Sequence, residues 1–251
     1  MTSLLSQIDQ FEERTVANLE GRQLESTFLA LVKEIEQVYS KYEIYLPDAS
    51  PLALEKFVSL PIQRQVLILN DLLTTCQLAM DIEKEKNPPG IGREREIEFL
   101  RRFMKKHGLR LKADCLELFA EGDVIEVYNA QCVQIYRSWN FFKYSSYSVA
   151  DLLIFDWDTL YERPRIIANR LMELVPLCFQ PDATVIDYRE NGIPEYFITE
   201  RFEGHNNAYI FKMKYAMSLQ DEHTGATTAF ISTGSVQLAD APKVGLNVSF
   251  I

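Results

Sequence analysis

The run Asn87-Pro88-Pro89-Gly90 divides the chain into halves with different hydrophobic periods. Proline lacks the amide donor and restricts the residue before it, and the glycine adds a turn, so no helix continues through this run. A domain boundary is expected here. Residues 1–87 read as a helical region for dimerisation or partner binding, 88–111 as a linker helix, 112–238 as a second domain and 239–251 as a tail. A chain of 251 residues, 47% of them apolar, has material for two modest cores.

In the first half, apolar residues recur at Leu24, Phe28, Leu31, Ile35, Val38 and Tyr42, spaced four, three, four, three, four. That is a helix face kept against one partner. The partner is either another helix of this chain or the same seam of a second copy, and both readings stay open, because the seam is short for a coiled coil and Gly21 interrupts it upstream. Ser50-Pro51 supplies an N-cap and a first-turn proline for a short helix that ends at Pro61. A longer helix follows over 62–85, with Val66, Leu69, Leu72, Leu73, Cys76 and Met80 on one face.

Beyond the break, helix 93–107 carries Ile97, Leu100, Phe103 and Met104 on one side and closes on Lys105-Lys106-His107-Gly108, ordinary C-terminal chemistry. The period then shortens. Residues 114–120 and 123–129 read as two strands joined at Glu121-Gly122, apolar on both faces and so in need of cover on both, with helix 93–107 the nearest candidate. Short helices follow: 131–142, one opened by the capping box Ser148-Val-Ala-Asp151, one capped by Asp158 over 159–162, and 165–177. Residues 183–189 read as either a sixth strand or an extended connection, and 195–203, 207–219 and 226–238 read as a three-strand meander. In its middle strand Tyr209, Phe211, Met213, Tyr215 and Met217 face one way and Lys212 and Lys214 the other.

Two strands, a run of short helices and three antiparallel strands are the element order of a PAS domain. Tyr147-Ser148-Val-Ala-Asp151-Leu152-Leu153, Trp157-Asp-Thr-Leu160 and the turn Asp221-Glu-His-Thr-Gly225 before Ala229-Phe-Ile-Ser resemble motifs of that family over residues 112–238. The resemblance implies an α+β fold: a helical N-terminal region followed by a PAS-like five-stranded antiparallel sheet with short helices over one face. It implies a sensor or adaptor in signal transduction, acting through its helices or a protein partner. Residues 178–194 are longer than the family's usual link, and residues 1–87 resemble no family.

The chemistry of the sequence points away from catalysis. A net charge of −10 repels nucleic-acid phosphates and anionic lipid, and the one basic cluster, Arg101-Arg102 with Lys105-Lys106, shares its helix with Glu94, Glu96 and Glu98. No stretch is long and apolar enough to span a membrane, the N-terminus lacks a signal-peptide pattern, and Cys76, Cys115, Cys132 and Cys178 form no paired spacing. A soluble, cytoplasmic protein with reduced thiols is expected. Nucleophile elbows, phosphate loops and zinc-protease motifs are missing, so no catalytic residue is assigned. No metal is assigned either, although Glu203, His205, Asp221, Glu222 and His223 supply ligand-type side chains. No cofactor is expected: between 108 and 204 there is no histidine for haem, and no cysteine sits in a flavin motif.

What remains is a set of aromatics, Trp139, Phe142, Tyr144, Phe155, Trp157 and Tyr161 on the helical side against Tyr209, Phe211, Met213 and Phe230 on the sheet. These side chains either fill a core or wall a ligand pocket. The expected partners are a second copy of the chain, a signalling protein and a small molecule. The alternative is an α+β enzyme or metal-binding protein with an apolar cavity.

Overall fold

The computed structural model describes residues 22–41, 44–84, 92–113, 115–180, 182–202 and 207–239. The chain divides into two compact units, one built from residues up to 89 together with 147–156, the other from 90–146 and from 157 onward. The fold is α+β: N-terminal helices precede a curled antiparallel sheet that carries short helices over one face.

The first unit holds α1 (Arg22–Ser40), α2 (Pro51–Ser59) and α3 (Ile62–Glu83). Leu24, Phe28, Leu31, Ile35 and Val38 are all buried within it; Tyr42, the last residue of that seam, lies outside the described residues. The seam packs on α3, where Leu69, Leu72, Leu73 and Cys76 are buried, and Phe28 stacks on Phe57 of α2 at 4.2 Å. A face consumed by its own neighbours at this depth is an intramolecular seam.

One further helix completes this unit from far along the chain, α6 (Val149–Ile154), which packs on α1 and α2. Its capping box is formed: the Asp151 amide donates to Ser148 Oγ at 3.1 Å, and Ser148 N and Oγ donate to the Asp151 carboxylate at 3.1 and 2.6 Å. The same carboxylate accepts from Ser50 Oγ, the N-cap of α2, so one buried carboxylate ties two helix starts together. Ser148→Ala removes the cap and strands part of that carboxylate's hydrogen bonding. An expected loss of about 1–2 kcal/mol should appear as a lowered denaturation midpoint followed by far-ultraviolet circular dichroism.

In the second unit α4 (Arg93–Lys106) leads into β1 (Leu109–Leu111). Next come β2 (Val124–Asn129), β3 (Gln134–Arg137), α5 (Trp139–Tyr144), α7 (Trp157–Leu160), β4 (Tyr161–Glu162), α8 (Arg165–Cys178), β5 (Val185–Asp187), β6 (Tyr196–Glu200), β7 (Ala208–Asp221) and β8 (Thr227–Ala239). The sheet runs β3-β2-β8-β7-β6-β4, with β1 and β5 pairing the far half of β7. Five of these strands, β3-β2-β8-β7-β6, are the two before the helices and the three after them, joined by antiparallel pairs.

Three local expectations are corrected, besides the helix expected over 159–162, which is instead helix Trp157–Leu160 with Asp158 inside it rather than capping it, followed by a strand at Tyr161–Glu162. The strand expected over 114–120 is not formed by its described residues, 115–120: Leu116–Leu118 form a 3-10 turn, with Cys115 and Phe119 buried four residues apart. The strand that pairs β2 is instead β3, inside the stretch 131–142 expected to be helical. Its turn is made by Asn129, whose Oδ1 accepts from the amides of Gln131 and Val133, and by Cys132 at a positive φ of 59°. Thirdly, Tyr215 and Met217 do not share a face with Phe211 and Met213, because a β-bulge between Met213 and Tyr215 shifts the register against β8 by one residue and reverses which side chains point inward.

The inner face therefore carries Tyr209, Phe211 and Met213 at one end, then Ala216 and Ser218. Across β8 they meet Val236, Gly234, Ser232 and Phe230, and across β2 Val124, Glu126 and Tyr128. The outer face, with Met217, Ile231 and Val127, is covered by the 113–119 segment, where Cys115 Sγ lies 3.3 Å from Met217 Sδ. Beside it Phe99 and Phe103 of α4 pack on Tyr136 of β3. Both faces are thus covered, as strands apolar on both sides require. Gly234 leaves no room for a side chain against β7, since a Cβ there would lie 2.9 Å from the Lys212 carbonyl and from the Phe211 ring.

Candidate ligand site on the inner face of the sheet

The aromatics converge where α5 and α7 cross the inner face. Tyr144, Trp157, Tyr161, Tyr209 and Phe211 border one small cavity, together with Val124, Phe141, Ser145, Ile198 and Val236. Its free volume is about 10 Å³, the room of roughly one water molecule. Phe141 stands edge-on to Tyr161 at 6.3 Å, and Trp157 lies 4.4 Å from Tyr161, so the rings fill the space between helices and sheet.

The other candidate aromatics lie elsewhere. Trp139 packs edge-on against Phe99 at 5.3 Å, Phe142 is buried against Phe141, and Met213 sits beside Gly234. Phe230 stacks on Tyr128 at 5.4 Å and meets Phe179 edge-on at 6.0 Å, at the end of α8. Phe155 belongs to the first unit and is half-buried.

A carboxylate organises the cavity's edge. Glu200 accepts from the Ser146 amide at 2.9 Å, from Ser146 Oγ and from the Tyr209 hydroxyl, which also reaches the Tyr144 carbonyl at 2.9 Å. One side chain of β6 thereby fixes the exit of α5 against β7. Ser145 Oγ and Tyr161 OH share a further hydrogen bond of 2.8 Å across the cavity rim.

Deeper along the inner face lies a cluster that the sequence pattern did not reveal. Glu126 of β2 is 4% exposed, stands opposite Arg137 of β3, and accepts from Gln134 Nε2 at 2.5 Å. Burial pushes its pKa up, opposed by the positive charges of Arg137 and Arg163 and by hydrogen bonds from Gln134 and Tyr128. Burial likewise lowers Arg137, while Glu126 draws it back up. Tyr128, Tyr188 and Tyr196 are held well above the ordinary phenol range, chiefly by burial, and Tyr188 OH donates to Ser232 Oγ at 3.2 Å.

Arg163 closes the cluster from between β4 and α8. Its guanidinium lies 5.1 Å over the Trp157 ring, and both its Nε and Trp157 Nε1 are buried without a hydrogen-bond partner among the described residues. One carboxylate thus faces two guanidinium groups. The sequence signal for this was faint: a glutamate at an inward position of an apolar strand, at Glu126, is the one irregularity an alternation count exposes.

Glu96 links this face to α4. Its buried carboxylate accepts from the amides of Trp139 and Asn140 at 3.0 and 2.8 Å, capping the N-terminus of α5 from a different helix. Burial pushes its pKa up to about 7, against the lowering effect of those two amides and of Lys143.

Among the described residues no group of three or more His, Cys, Asp or Glu side chains converges as metal ligands would. Asp221 spends its carboxylate on the amides of His223 and Thr224 in its own turn, and Glu203 and His205 lie outside the described residues. No described helix is long and apolar enough to cross a membrane. No family model, curated protein or solved structure matches this chain.

Proposed function

We propose that the chain is a non-catalytic, PAS-like sensor or adaptor of intracellular signal transduction, detecting a small molecule or a protein partner and relaying it through α4. One observation carries the reading: the carboxylate of Glu96, on α4, caps α5, the helix whose Phe141 and Tyr144 wall the cavity. A displacement of α5 by a ligand lengthens or breaks those two charge-assisted bonds and so changes how α4 is held. The element order and the aromatic wall on the inner face support the PAS-like assignment.

The helical region serves dimerisation or partner contact in this reading. With Leu24 to Val38 spent on internal packing, the contact falls to apolar side chains that α2 and α3 leave in solvent, Leu52, Val58, Ile62 and Leu67, each more than half exposed. Native mass spectrometry of the full chain tests both parts. A dimer, or a protein mass raised by a retained small molecule, is the expected result, and Ile62→Asp should return a dimer to monomer. A bare monomer at micromolar concentration that captures neither ligand nor partner overturns the reading.

A further inference from the structure

Beside the filled inner cavity, the second unit carries an open groove of about 640 Å³, with Tyr161 common to both. One wall is the start of α8: Pro164 opens it without any side-chain cap, and Arg165 and Ala168 follow in the lining. The other is β6, which contributes Phe197, Thr199 and then Arg201 beyond the strand end. Arg163 stands between them. Phe197 is 58% exposed, an aromatic face offered to solvent inside a concavity.

The electrostatics of this groove are specific. Arg163, Arg165 and Arg201 line it against Asp158 and Glu162, three positive charges to two negative. Arg163 is set apart from the other two because it is half-buried where they are exposed. Its inner neighbour Glu126 is already matched by Arg137 directly across the β2–β3 pair. The guanidinium of Arg163 meets a ring face, its Nε–H has no acceptor among the described residues, and the N-terminal turn of α8 adds a partial positive charge beside it. A half-buried guanidinium that lines an open groove favours an anionic oxygen on its groove side.

We propose that this groove binds a small monocarboxylate with an apolar or aromatic body, the carboxylate on Arg163 and the body on Phe197. A single charge fits better than a phosphate dianion, because the wall holds an excess of one positive charge and Asp158 and Glu162 repel a second negative one. The proposal rests on the sensing role above and names its ligand class. Arg163 also supplies the route inward: it leans on Trp157, which borders the inner cavity with Phe141 of α5, the helix that Glu96 caps.

Titration calorimetry on the full chain with phenylacetate tests the site, with phenylacetamide as the neutral isostere and phenyl phosphate as the dianion. Phenylacetate is expected to bind with a Kd on the order of 1 mM, phenylacetamide about tenfold more weakly or worse, and phenyl phosphate no tighter than phenylacetate. Arg163→Met should weaken phenylacetate by about tenfold, with the melting temperature lowered because Glu126 loses one of the two positive charges that face it. Should Arg163→Met fail to fold, Phe197→Ala, at an exposed position, should still weaken it severalfold while leaving acetate unaffected. No saturable binding, equal binding of the amide, or tighter binding of the phosphate overturns the proposal. Hydrogen exchange in α4 under saturating phenylacetate separates it from the sensing reading. Binding with α4 protection unchanged keeps the site and defeats the relay, whereas an α4 response supports both.

Discussion

Arg137→Met is expected to destabilise the second unit by about 3–5 kcal/mol, one of the two largest effects anticipated here. The methionine replaces the apolar stem well, so the loss does not come from packing. It comes from Glu126, which is 4% exposed and stands opposite Arg137 in the β2–β3 register. Without its partner that carboxylate keeps the hydrogen bonds from Gln134 and Tyr128 and the charge of Arg163, but it must otherwise ionise in a site sealed from water or take up a proton. The double variant Glu126→Gln/Arg137→Met removes the stranded charge and should recover at least half of the loss, a coupling that a double-mutant cycle reads directly. Tryptophan fluorescence during urea unfolding reports on this unit alone, because both tryptophans of the chain, Trp139 and Trp157, lie in it. A single-variant loss under about 1 kcal/mol, or strictly additive effects, would show that Glu126 and Arg137 are not a working pair.

The elements legible in the sequence were those with one clear period over many residues. The four-three spacing from Leu24 to Val38, the Ser50-Pro51 start, the Ser148–Asp151 box and the long strands β7 and β8 all stand in the structure within a residue or two of their expected ends. Short apolar runs were ambiguous. The residues Cys115-Leu-Glu-Leu-Phe119 satisfy a strand and a helical turn equally, and burial at Cys115 and Phe119 shows that the turn won. β3 is four residues long, and its start depends on an asparagine side chain folding back on its own backbone, which alternation does not report. The bulge after Met213 is invisible in a pattern that alternates on both sides of it, since Tyr215 and Met217 are apolar and find cover on the outer face instead. Helix α6 was legible as a helix, but its membership of the first unit was not: Ser50 and Asp151 are 101 positions apart, and only the fold brings them together.

For the candidate site, the sequence exposed its apolar wall and hid its charges. Tyr144, Trp157, Tyr161, Tyr209 and Phe211 stand out as aromatics near one another in predicted elements, and they border one cavity. Glu126, Arg137 and Arg163 come from two strands and a loop with no shared spacing, so nothing but tertiary structure places one carboxylate against two guanidinium groups. The polar members of such clusters are read as surface by any one-dimensional pattern, because charged side chains usually are.

The second large effect is a pH dependence set by Glu96. Its folded pKa is pushed up to about 7 from the ordinary 4.5, with burial as the main cause. Because the folded carboxyl keeps its proton to higher pH than the unfolded one, the folded unit binds more protons between those values, and unfolding free energy falls as pH rises through that window. The stabilisation is complete below about pH 4.5 and gone above about pH 7, a change of ~3 kcal/mol. Glu126 acts in the same direction, whereas Asp221, lowered by hydrogen bonds in its exposed turn, titrates below this window and adds no slope within it. Fluorescence-monitored urea unfolding between pH 5.5 and 8 should therefore show midpoints declining with pH. In Glu96→Gln, which cannot ionise and keeps an acceptor oxygen for only one of the Trp139 and Asn140 amides, most of that slope should vanish, at the cost of the other amide's hydrogen bond at every pH. An unchanged slope in Glu96→Gln would assign the pH dependence elsewhere. A steep slope that disappears would mark the α4–α5 junction as the point where protonation strengthens the fold and ionisation loosens it. In the sensing reading, that is the same joint through which displacement of α5 reaches α4.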